Sequence, residues 1–298
     1  MSLDKNIVIA ALARDCDKSL ISNIPRIEKL RREFAWSCVV VIENDSKDKT
    51  KEILNIWSRQ SAGVEVISKD FGTITIPQKS GVIPSPTTSL CRIEKMVKYR
   101  NMYMDYIKTI EHTIDYLIII DIDIEDFSVD GIVKSILNAK EDWGGIFANG
   151  ITKKEFKGKV FSKIFHDVFA ICEYPLTDKV SFNAKTLDIR KKTIQKQVNR
   201  NAYTSIISAF GGIGIYKYDV IKNLKYRVLQ NYENGNEAVC EHIPFNIEII
   251  KAGHKNYIAR DLYVLYGDHL FGAILETKLH RKLFELIFSI YRKAKSHN

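Results

Sequence analysis

Apolar and polar positions follow two periods through the first half of the chain. "NIVIAAL" (6–12), "SCVVVIE" (37–43), "VEVIS" (64–68) and "YLIIID" (116–121) are largely apolar runs, as expected of strands buried on both faces. Between them, "IPRIEKLRREF" (24–34), "DKTKEILNIWSRQ" (48–60) and "SLCRIEKMVKYRNMYMDYIKTI" (89–110) repeat apolar residues at helical spacing. This alternation predicts an α/β fold, a Rossmann-like and mainly parallel sheet flanked by helices. Ligands of such sheets gather beyond the carboxyl ends of the strands. Polar residues just past each apolar run are therefore the first place to look for chemistry.

After Gly150 the pattern is less regular. "KTLDIRKKTIQKQVNRN" (185–201) reads as a basic surface helix, and "AFGGIGIYKYDVI" (209–221) as a glycine turn, a short strand and a helix start. "CEHIPFNIEIIKAG" (240–253) reads as an amphipathic helix closed by Gly253. The long connection 69–89 holds three of the six prolines and is expected to close over a ligand. The last segment, 271–298, carries apolar residues at 279, 283, 286, 287 and 290 with basic residues between them. It is expected to be a basic amphipathic helix, either docked on the body or lying on an anionic membrane surface.

Composition narrows the class. In 298 residues, 45% are hydrophobic and 27% charged, as in an ordinary globular protein. Lys plus Arg number 45 against 36 Asp plus Glu, and the net +9 favours an anionic partner. The five cysteines are scattered without a C-x-x-C pair, which argues for reduced thiols and a cytoplasmic protein rather than a zinc site or disulfide framework. No stretch reaches the roughly 18 apolar residues of a spanning helix.

The strand-end residues supply the candidate chemistry. "IIIDIDIED" ends an apolar strand with Asp121 and Asp123, and residues two apart on a strand point to the same side. Two such carboxylates suit a hard divalent cation, Mn2+ or Mg2+, which also accepts phosphate oxygens. The first strand ends in "ALARDC", bringing Ala11, Arg14 and Asp15 to the same edge, and the second in "VIENDSKDKT", bringing Glu43, Asn44, Asp45 and Ser46. That polar set can hydrogen-bond a base and ribose, while Ser46 or Asp48 can equally cap the helix that follows.

"VIENDSKDKT" followed much later by "IIIDIDIED" resembles the GT-A fold nucleotide-sugar glycosyltransferases. With "RIEKMVKYRN" and "HDVFA" in the same order, the chain is similar, in blocks across about residues 5–175, to the fungal capsule-associated α-1,3-mannosyltransferase-like proteins. It departs from them in carrying the fuller D-x-D, which leaves the sugar and linkage open.

The resemblance implies one GT-A domain over 1–270, with a nucleotide-binding half to about 126 and an acceptor half beyond it, then the terminal helix 271–298. It implies Asp123 as metal ligand, Asp121 at the ribose or a metal-bound water, and Glu43 and Asp45 at the nucleoside. Arg92 or Arg100 would meet the diphosphate, and Gly211 and Gly212 would pass beneath the donor sugar. Glu241 would be the acid that deprotonates the acceptor, and His269 a second metal ligand. The expected partners are a nucleotide sugar (GDP-mannose or a UDP-sugar), a glycan or lipid-linked acceptor and, through the last helix, a membrane surface. Both stereochemical outcomes stay open.

Two other classes compete. A sugar nucleotidyltransferase also sets metal-binding acids on an α/β sheet, but it would carry a glycine-rich phosphate loop where this chain reads "ALARDCDKS". A nucleic-acid-binding module would use the basic surface, yet no recognition motif accompanies the charge, and no nucleic-acid partner is expected.

Overall fold

A computed structural model describes residues 3–73, 88–156, 159–181 and 187–267. In chain order these form β1 (Leu3–Ala13), α1 (Asp17–Arg31), β2 (Phe34–Asn44), α2 (Thr50–Gln60), β3 (Val64–Lys69), α3 (Leu90–Ile107), β4 (Tyr116–Asp121) and β5 (Asp126–Phe127). Then follow α4 (Val129–Leu137), β6 (Trp143–Phe156), β7 (Lys159–Phe165), α5 (Leu187–Arg200), β8 (Tyr203–Ile206), β9 (Ile213–Lys217), α6 (Tyr218–Ile221), α7 (His242–Lys251) and β10 (Lys255–Tyr266). One sheet runs β3-β2-β1-β4-β9-β6-β10-β5, with β7 and β8 paired off that path to β6 and β10.

The sheet is mainly parallel. β1 pairs in parallel with β2 and β4, β2 with β3, and β6 with β10. β9 is antiparallel to both β4 and β6, so it sits between two blocks that run the same way. The expected single-domain α/β architecture, helices flanking one mainly parallel sheet, is what this chain forms. The terminal segment 271–298 lies outside the described residues.

Alternation along the central strands divides the core. Val8 and Ala10 of β1 and Leu117 and Ile119 of β4 pack with Tyr103 of α3, Ile194 of α5 and Phe245 of α7. Ile7, Ile9, Ile118 and Ile120 pack on the other face with Leu20 and Ile27 of α1, Leu54 and Trp57 of α2 and Ile132 of α4. Each Val, Leu, Ile or Phe among them contributes about 1.5–3 kcal/mol by leaving water. Strands buried on both faces explain why the apolar runs are continuous.

Two elements differ from the sequence pattern. The pattern places the first helix at 24–34, with Pro25 near its start, whereas α1 begins at Asp17 and carries Pro25 inside it. Proline inside a helix removes one backbone donor; the packing of Leu20 on the sheet nonetheless holds the earlier turns in place. β6 was hidden because Gly144 and Gly145 follow its first residue, Trp143, and glycines ordinarily weaken strands. A Cβ on Gly144 would press into Ile249 of α7 and the His254 side chain, and one on Gly145 into Asn256 of β10. Close approach of neighbours requires glycine at both. Gly253 has φ +87 and donates to the Ile250 carbonyl, closing α7 as expected.

Candidate active site

The carboxyl ends of β1, β2 and β4 share one edge, because Ala13 stands opposite Glu43 and Leu12 opposite Asp121. The loops leaving β1 and β2 are knitted together. Asp15 N–H donates to Ser46 Oγ, Lys47 N–H to Asp15 Oδ1 and Cys16 N–H to Thr50 Oγ1. Asp48 accepts the first helical N–H groups of both α1 (Asp17) and α2 (Thr50). Asp15 (φ 47) and Asp45 (φ 53) adopt the left-handed conformation that Asp tolerates better than most residues.

Glu43 and Asp45, expected to face a nucleoside, are engaged within the protein. Buried Glu43 accepts from Ser46 N–H and from the Ser68 hydroxyl. Asp45 Oδ1 accepts from Phe71 N–H at 2.7 Å and Gly72 N–H at 2.8 Å, and Oδ2 from Asn44 Nδ2 at 3.0 Å. Burial pushes the Asp45 pKa up, but these donors and Thr73 outweigh it and hold the carboxyl well below its usual range. Arg14 Nη2 donates to the Thr73 carbonyl, and Phe71 stacks on Tyr99 at 5.4 Å. Residues 70–73 are thereby bound across the strand ends; 74–87, the rest of the expected closing loop, lie outside the described residues.

The acidic turn is arranged differently. Simple strand alternation does not hold there, because β4 ends at Asp121 and Asp123 stands in the turn beyond it. Asp121 is part-buried and Asp123 exposed, while Ile122 and Ile124 are fully buried. Asp121 accepts from the Tyr266 hydroxyl at 3.1 Å, and its N–H donates to the Gly212 carbonyl at 2.9 Å. Burial first, then the negative charges of Asp123 and Asp167, push its pKa up to about 8, with Arg100 and the Tyr266 hydroxyl opposing.

Asp167 is the acid that sequence reasoning passed over. It lies in the quoted "HDVFA" block, and that block was its only signal. Its Oδ2 accepts from Gly211 N–H at 3.2 Å and its Oδ1 from Ala170 N–H at 3.4 Å. Burial raises its pKa, with the charge of Glu241 adding to the effect.

Gly211 and Gly212 join these parts. Gly211 has φ +63, and a Cβ there would overlap the Ala148 carbonyl; Gly212 has φ +93, and its Cβ would meet Tyr266 Oη at 2.8 Å. Only glycine fits both the conformation and the space. The pair thus presents one N–H to Asp167 and one carbonyl to Asp121. His166 stacks on Tyr266 at 3.9 Å and bonds Thr152 Oγ1 through Nδ1.

Behind this cluster lies a buried ion pair. Arg100 Nε donates to Glu241 Oε1 at 2.7 Å, with side-chain exposures of 5% and 4%. Burial pushes the Glu241 pKa up, but the Arg100 guanidinium outweighs it and brings the carboxyl down to about 2. The neighbouring His242 is held neutral by burial, its ring stacked on Phe210 at 4.0 Å.

No family model and no curated protein matches the chain. Solved structures do resemble it. Mannosyltransferase PcManGT from Pyrobaculum calidifontis, in complex with GDP-Man and Mn2+, aligns with a TM-score of 0.49 and 10% identity over 88% of this chain and 56% of that one. S. aureus TarS 1-349 aligns with a TM-score of 0.45 and 13% identity over 88% and 60%. Glucosyl-3-phosphoglycerate synthase from Mycobacterium tuberculosis, in complex with UDP, aligns with a TM-score of 0.40 and 10% identity over 88% and 70%. This chain therefore spans less than two thirds of the first two. The likeness is one of general layout and transfers no residue role.

The remaining candidates fall as follows. Ala11 is fully buried in the sheet between Val41 and Ile120, so its side chain offers no surface to a ligand. Arg92 sits part-buried in the first turn of α3. His269 lies outside the described residues. Among the described residues, no group of three or more His, Cys, Asp or Glu side chains is arranged to hold a metal ion. No helix among them is long and apolar enough to cross a membrane.

Proposed function

We propose that this chain is a nucleotide-sugar-dependent glycosyltransferase that moves mannose or a similar hexose from a nucleotide-diphosphate donor to a hydroxyl of a glycan or lipid-linked acceptor. The observation that carries this reading is the meeting of Asp121, Gly211–Gly212, Tyr266 and Asp167 at the carboxyl edge of the parallel strands, beside the exposed Asp123. Acids gathered at that edge fit a site completed by a cation and a diphosphate.

The carboxylates Asp121 and Asp123 supply hard oxygen donors, which suit Mn2+ or Mg2+. Asp123 is the ligand in this reading, with Asp121 behind it and His269 as the second ligand expected from the sequence. The bound cation would neutralise charge developing on the nucleotide leaving group. The chain's own residues do the rest. Arg14 and the 70–73 segment bound the nucleoside side, and Gly211–Gly212 let the donor approach the backbone closely.

Glu241, the sequence candidate for acceptor deprotonation, is a weak base against Arg100. Its enclosure supports an anchoring role, in which it holds the guanidinium whose charge reaches Asp121. Asp167, with its raised pKa, is a better proton acceptor than Glu241.

A thermal-shift panel of GDP- and UDP-sugars with and without Mn2+ tests the reading. A donor in excess of its Kd must stabilise the fold by mass action, by about 2.7 kcal/mol at a hundredfold excess. Absence of any Mn2+-dependent shift across the panel would sink it.

A further inference from the structure

One face of α1 is bonded to the acidic turn. Asn23 is fully buried at an interior position of the helix, among Leu20, Ile27 and Leu30, where its spacing calls for an apolar residue. Its Nδ2 donates to the Ile122 carbonyl at 2.9 Å and to the Ile124 carbonyl at 2.7 Å. An amide nitrogen has two hydrogens, and here they go to the two carbonyls that flank Asp123. Ser19, one turn earlier, donates from Oγ to the Asp123 carbonyl at 3.2 Å. Arg26, almost one turn later, donates from Nη1 to Asn23 Oδ1 at 3.1 Å and to the Glu125 carbonyl at 3.4 Å, and pairs through Nε with Asp126 at 2.9 Å.

These bonds answer a local need. The chain leaves the sheet after Asp121, whose N–H still reaches Gly212, and rejoins it at Glu125, whose N–H reaches Leu265. The Ile122 and Ile124 carbonyls fall between those anchors, and a buried carbonyl without a partner is costly. Asn23 supplies both partners from a rigid helix.

We infer that Asn23, with Ser19 and Arg26, is the positioning brace that sets Asp123 for the cation and diphosphate, an inference resting on the glycosyltransferase reading. Asn23 touches no substrate in this role. It acts through the turn, as outer partners of a metal ligand do.

Compare Asn23→Ala with Leu54→Ala, a cavity control on α2 in the same core layer, and with the surface double variant Ser19→Ala/Arg26→Met. Amide exchange over 122–126 reads the brace without any ligand. Binding of GDP and UDP, with Mn2+ and with EDTA, reads its consequence. Asn23→Ala should raise exchange across 122–126 at least about tenfold. It should weaken Mn2+-dependent nucleotide binding about 10–100-fold and leave the EDTA value unchanged. Ser19→Ala/Arg26→Met should shift both readouts in the same direction by less, and it decides the matter if Asn23→Ala does not fold. Leu54→Ala should move neither. Wild-type exchange in the braced turn of the variants, or equal weakening with and without Mn2+, would overturn the brace. Failure of the wild-type protein to bind either nucleotide with Mn2+ would instead overturn the glycosyltransferase reading, and the exchange arm would still decide the brace.

Discussion

The loops after β1, β2 and β3 and the turn after β4 use the same residue type in opposite ways. Asp45 receives donors from Asn44, Phe71 and Gly72, and its proton affinity falls. Asp121, at the same sheet edge, receives the Tyr266 hydroxyl but faces Asp123 and Asp167, and its proton affinity rises to about 8. The first acid has its charge satisfied within the protein and acts as structure. The second stands among like charges, with the Arg100 charge only partly offsetting them. Acidity at a strand end is therefore not one signal; the local donors and charges decide whether a carboxylate's proton affinity falls or rises.

Replacing Asp123 with Ala should give the largest effect on function, a loss of at least about 100-fold in turnover of the active donor, with loss of the Mn2+-dependent thermal shift. Turnover near the wild-type level would remove the turn from the site. Arg100→Met should give the largest effect on stability, about 3–5 kcal/mol in a urea titration, because Glu241 is left charged and buried. The double variant Arg100→Met/Glu241→Leu should recover most of that loss. Gly212→Ala should cost about 1–3 kcal/mol from its positive φ, with further loss from the Tyr266 contact.

Titration sharpens the contrast with shifts of opposite sign. An unfolded Asp releases its proton near the ordinary value of 3.8, whereas folded Asp121 does so near 8. The folded state binds the extra proton between them, so the Asp121 contribution to stability falls as pH rises through that window. Thermal denaturation of Asp121→Asn against the parent protein should show this part of the slope disappear. Asp45 and Glu241 act the other way. Their folded pKa values are depressed, so their stabilisation is complete above the unfolded values and lost as pH falls through the folded ones. Asp45→Asn should cost the least, about 1 kcal/mol at neutral pH, and make acid unfolding shallower.

Much of this was legible in the chain. Apolar runs and helix spacing located β1 to β4, α2, α3 and α7, because strands buried on both faces must be continuously apolar. The same logic brought Asp121 and Glu43 to one edge, and only the family resemblance pointed to Gly211–Gly212. β6 was not legible, since its glycines answer to neighbours more than 90 residues away in sequence, Ile249 and Asn256. Asp167 was not legible for a similar reason, because its role depends on the Gly211 N–H, 44 positions further on. Asn23 was missed because it occupies an apolar slot, and nothing local marks it as a donor to carbonyls about 100 positions away.

By itself the sequence determined the parallel strands β1 to β4, most of the helices beside them and the edge where acids collect, because these follow from local periodicity and the burial of apolar side chains. Tertiary structure alone decided what each acid does there. Arg100 meets Glu241 across 141 positions, Tyr266 meets Asp121 across 145, and Phe71 meets Asp45 across 26. A carboxylate's charge state and availability depend on which donors and charges the folded chain brings within a few ångströms, and sequence spacing carries no record of them.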